Sequence, residues 1–92
     1  MADLKKIKAK IREIAQGNRR NVTREEIEWV VRHLGLNGFT TTARMAGDHA
    51  KLFGINNLRF SISIHTSSGS RIKRCYVNEF IDVMMELGLY DD

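Results

Sequence analysis

His49 and His65 are the side chains whose type and placement suit proton transfer near neutral pH. His49 ends the turn-like triplet Gly47-Asp48-His49, and His65 closes the alternating run Phe60-Ser61-Ile62-Ser63-Ile64-His65. Arg44, Lys51 and Arg59 lie on the flanking strand-like segments, where a cation could support the histidine chemistry by stabilising a crowded phosphorane. A base that takes the proton from a 2′-hydroxyl, with an acid that protonates the leaving oxygen, is enough to cut RNA without a metal. A lone histidine at a strand edge is more often structural than catalytic. The surrounding elements must therefore decide.

Little other chemistry is on offer. No Gly-rich phosphate loop, His-Glu-x-x-His pair or Cys-x-x-Cys occurs, and no metal or cofactor is implied. Cys75 is the single cysteine, which excludes an intramolecular disulfide and suits a reducing, cytoplasmic setting. His33, between Arg32 and Leu34, reads as a helix-surface or boundary histidine. Asp48, Asp82 and Asp91-Asp92 read as a turn residue, a helix-surface charge and a tail. No apolar run reaches membrane-spanning length, and no signal-peptide pattern opens the chain.

The elements that would position the histidines follow from periodicity and caps. Leu4, Ile7, Ile11 and Ile14 recur at three- and four-residue spacing, which predicts a first helix from an N-cap at Asp3 to Gly17. Its narrow apolar stripe needs cover from the rest of the domain, a second copy of the chain or a partner protein. Thr23-Arg24-Glu25-Glu26 has capping-box spacing, with Val22 and Ile27 as a hydrophobic staple. Ile27, Val30, Val31 and Leu34 give the second helix its apolar face, with Trp29 at the margin, before Leu36-Asn37-Gly38-Phe39 turns the chain.

Strand character then takes over. Thr40 to Met45 is the first strand, Gly47-Asp48 a tight hairpin turn, and His49 to Phe53 the second strand. Gly54-Ile55-Asn56-Asn57 offers the next turn. The third strand, Leu58 to His65, puts Leu58, Phe60, Ile62 and Ile64 on one face and Arg59, Ser61 and Ser63 on the other. A last helix begins at an Asn78 cap, or a turn earlier near Tyr76, and Gly88 stops it. The expectation is an α+β fold: a three-stranded antiparallel meander with helices on one face, plus an extra N-terminal helix.

Charge is uneven along the 92 residues. Residues 1–20 carry seven Lys/Arg against Asp3 and Glu13, a balance of +5; the remainder carries eight against nine, and the whole chain is +4. Lys5, Lys6, Lys8 and Lys10 are accordingly candidate RNA contacts through counterion release. The bland alternative is a solvated lysine-rich helix face.

From Arg24 to about Leu89 the chain resembles the HicA family of small mRNA-interferase toxins. The resemblance rests on Gly38-Phe39 ending a helix, a strand leading to Gly47-x-His49, and Ile62-Ser63-Ile64-His65 closing a hydrophobic strand. A loop and a closing helix ending Leu87-Gly88-Leu89 complete the order. It implies a fold like a double-stranded-RNA-binding domain, with an α-β-β-β-α core over residues 23–92 and a basic N-terminal segment, 1–22, outside the family pattern. It also implies metal-independent cleavage of mRNA, His49 as the catalytic histidine, His65 in support, and silencing by a HicB-type antitoxin. Asp48 and Ala50 depart from the family pattern, which usually has Ser or Thr before this histidine and another polar or aromatic residue after it.

Two other functions compete. One is a non-catalytic RNA-binding module of the same fold, whose binding falls with salt and is indifferent to His49. The other is an interaction or homo-oligomerisation domain that uses the apolar stripe of the N-terminal helix.

Overall fold

The computed structural model describes residues 3–17, 22–47, 50–63 and 72–91. Three helices and three strands follow in the order α1 (Leu4–Gln16), α2 (Arg24–Leu36), β1 (Thr41–Met45), β2 (Ala50–Ile55), β3 (Leu58–Ser63) and α3 (Arg74–Glu86). The strands form an antiparallel meander in spatial order β1-β2-β3, with the helices packed on the sheet. This is the expected α+β architecture.

Local sequence sets most element ends. Asp3 Oδ1 accepts the Lys6 N–H at 2.9 Å, capping α1. Thr23 and Glu26 complete the capping box of α2: Thr23 Oγ1 accepts the Glu26 N–H, and Glu26 Oε1 accepts the Thr23 N–H, each at 3.3 Å. Gly38 and Gly88 end α2 and α3 at φ 94° and 75°. Past α3, Leu89 N–H donates to Met84 C=O and Gly88 N–H to Met85 C=O, a Schellman pair that favours glycine at position 88. The start of α3 differs from both expected positions. It begins at Arg74 with no side-chain cap, and the segment before it is held by Ile72 N–H donating to Val22 C=O at 2.9 Å.

The core joins the three helices with β2 and β3; β1 adds no buried residue to it. Phe53 and Phe60, cross-strand partners, stack at 5.2 Å between ring centroids, and Phe80 of α3 meets Phe60 edge-on at 5.4 Å. Ile7 and Ile11 of α1 are 0% exposed and Ile14 is also buried, packed with α2 and α3. The stripe that had three possible covers is covered by its own chain. Lys10 reinforces the contact through Glu26 at 3.2 Å.

Two strand details correct the sequence reading. Gly54 and Ile55 belong to β2 rather than to a turn; the turn is Asn56-Asn57, with Asn56 at φ 55°. In the first hairpin Ala46 N–H donates to Ala50 C=O, so three residues separate the bonded pair where a Gly47-Asp48 turn would leave two. That shift of one residue exchanges the faces of β2 relative to β1.

Candidate functional site on the open face of the sheet

The register sorts the sequence-predicted cations. Thr42 pairs with Gly54 and Gly54 with Arg59; Arg44 pairs with Leu52 and Leu52 with Ser61. Paired residues share a face, so Arg44 and Arg59 stand together on the side away from the buried Phe53, Ile55, Phe60 and Ile62. Both arginines are exposed. With Thr42, Leu52 and Gly54 they line a shallow concavity of about 300 Å³. Gly54 keeps that hollow open: a Cβ built there would lie 2.5 Å from Thr42 Oγ1.

Lys51 does not join them. It lies on the helix-facing side, where Nζ meets Glu28 Oε1 at 3.0 Å and sits 5.4 Å from the centroid of the Phe53 ring. Glu28 also receives Arg24 Nε at 3.7 Å. The ammonium is therefore neutralised on the far side of the sheet from Arg44 and Arg59.

His49 and His65, with Asp48, lie outside the described residues. The nearest described strand pair is Ala50–Ser63, one residue from His49 and two from His65 in the chain. At this end of the sheet Ser63 is 8% exposed. His33 is the boundary residue expected: half-buried, with Nδ1 2.8 Å from Trp29 C=O and its ring stacked on Trp29 at 4.2 Å. Among the described residues no group of three or more His, Cys, Asp or Glu is placed to hold a metal ion. No described helix is long and apolar enough to cross a membrane.

The N-terminal lysines divide as well. Lys5 and Lys8, with Arg12 and Ala9, line one exposed hollow on α1, at the i, i+3, i+7 spacing of a single helix face. Lys10 instead bridges Glu13 at 3.5 Å and Glu26 at 3.2 Å, and Lys6 is exposed outside that hollow. Arg12 joins the candidate lysines only in the structure. Its helical spacing from Lys5 and Lys8 was the available signal.

No family model, curated protein or solved structure matches this chain.

Proposed function

We propose that this chain is an RNA-binding, metal-independent endoribonuclease of the HicA kind, with His49 as general acid/base. The observation that supports it most is the strand register, which sets two exposed guanidinium groups, Arg44 and Arg59, on one face of the sheet. Arg44 pairs two residues along β2 from Ala50, about 7 Å, whereas Arg59 pairs four residues along, about 13 Å. Arg44 is the guanidinium assigned to the phosphorane, and Arg59 holds the flanking RNA backbone. In the reaction the 2′-oxygen loses its proton to the base and attacks phosphorus; the 5′-oxygen leaves with a proton from the acid. His65 supports His49 in this reading, and a HicB-like protein is the silencing partner in the cytoplasm.

Cleavage of single-stranded RNA by the purified chain, with and without chelator, tests this. Activity is expected to survive chelation and to fall by about 10²-fold or more in His49→Ala, with RNA retention unchanged. Equal cleavage by wild type and variant rejects the assignment. The Lys5-Lys8-Arg12 hollow favours a second reading, RNA binding without cleavage. That reading is upheld by salt-sensitive binding, weakened when these three residues are neutralised, in a protein that leaves the RNA intact.

A further inference from the structure

The two edges of the sheet are treated differently. Beside the free edge of β3, α3 supplies a cover, and Glu79 Oε1 accepts the Ser61 N–H at 3.4 Å. The outer edge of β1 pairs with no strand among the described residues. Thr42 to Met45 are exposed, Met45 by 55%. Proteins commonly blunt such an edge with Lys, Pro or a bulge. Thr41-Thr42-Ala43-Arg44-Met45 contains neither Lys nor Pro, and its register with β2 runs without a bulge.

The bonds to β2 reveal which backbone groups remain on offer. Ala46 N–H donates to Ala50 C=O at 2.9 Å, and Asn56 N–H donates to Thr40 C=O at 2.7 Å. Antiparallel pairing alternates, so residues 40, 42, 44 and 46 turn their polar groups toward β2. Thr41, Ala43 and Met45 turn theirs outward.

We infer that β1 is the docking edge for a second copy of this chain, two β1 strands pairing antiparallel about a two-fold axis at Ala43 to make one six-stranded sheet. In that register Ala43 faces its own copy, while Thr41 and Met45 face each other twice. Each of these three pairs exchanges two hydrogen bonds, six in all, and satisfies every outward group of the strand. On the open face Arg44 comes opposite Thr42. Centring the axis on Arg44 would set arginine against arginine, and centring it on Thr42 would leave Met45 unmatched. The strand is thus complementary to itself in one register, which points to a copy of this chain rather than to a foreign strand. Beside the edge, the groove between α2 and β1 is lined by Glu25, Glu28 and Arg32, charges of both signs that do not repel an identical partner. Pairing would also join the Arg44 and Arg59 faces of two protomers into one surface. The inference does not rest on the ribonuclease reading.

Sedimentation of the full chain over a concentration series tests it. A reversible monomer–dimer equilibrium in the micromolar range is expected, since a five-residue edge is short. Ala43→Pro removes an outward N–H but no bond to β2, and should leave circular dichroism intact while giving a monomer. Thr42→Glu, placed opposite Arg44 of the copy, should tighten the dimer several-fold, and Thr42→Lys should weaken it by a similar factor. These charge variants decide the question even if the proline variant fails to fold. Wild type that stays monomeric to millimolar concentration overturns the inference and leaves the edge to a strand of another protein. So does a dimer that responds alike to Thr42→Glu and Thr42→Lys.

Discussion

Arg44 and Lys51 are seven residues apart across one hairpin, and a single loop residue decides whether they cooperate. A two-residue turn at Gly47-Asp48 would pair 44 with 51. The observed register pairs Arg44 with Leu52 and puts Lys51 against Glu28 on the opposite face. On the proposed ribonuclease reading, Arg44→Ala is expected to lower RNA cleavage by about 10²-fold, the scale for losing one preorganised transition-state donor. Lys51→Ala should leave cleavage within about two-fold and cost no more than about 1 kcal/mol in a denaturant titration, because its ion pair is partly solvated. Equal loss in both variants would refute the separation of faces. The residue types suited to the chemistry were legible in the sequence. Their sidedness was not, because it depends on loop length, and turn signals such as Gly-Asp fit loops of two residues or three.

Among the elements, legibility tracked how locally each end is determined. The capping box of α2 is a four-residue signal, and the structure forms both of its bonds. Thr23→Ala should cost about 1 kcal/mol, seen as a drop in Tm of roughly 4–8 °C for a domain of this size. No change in Tm would mean that the cap contributes nothing to stability. The alternation of Leu58, Phe60 and Ile62 likewise announced the buried side of β3. The start of α3 carries no local signal, because no side chain caps it; a backbone bond to Val22, distant in sequence, organises the entry. Glycine is rare inside strands, so Gly54 in isolation points to a turn. Its place in β2 reflects a crowded cross-strand neighbour, Thr42, which no local pattern reveals.

For the whole molecule, the basic segment proves to be part of the core. The i, i+3/i+4 stripe of α1 was readable, but its destination was not, since the same isoleucines would serve a dimer or a partner equally well. Ile7, Ile11 and Ile14 now pack in the cluster that holds Phe53, Phe60 and Phe80. Replacing one buried isoleucine by alanine costs about 2–5 kcal/mol, and a domain's whole stability is about 5–15 kcal/mol. A chain lacking residues 1–17 should consequently lose its cooperative thermal transition, followed by circular dichroism. A truncated chain that melts like the parent would contradict this. The cations of α1 cannot then be a detachable arm; Lys5, Lys8 and Arg12 are held at fixed spacing by a helix anchored on its other side.

The bond from Ile72 to Val22 has a kinetic meaning as well. It joins residues fifty positions apart, whereas the hairpins close over two and three residues. The chain entropy lost in closing a loop grows with its length, so the meander can zip early and the Val22–Ile72 closure belongs late in folding. A contact made late is also among the first released. Amide exchange at Ile72 should accordingly report a partial opening that frees the start of α3 while β2 and β3 remain paired, a breathing motion faster than global unfolding.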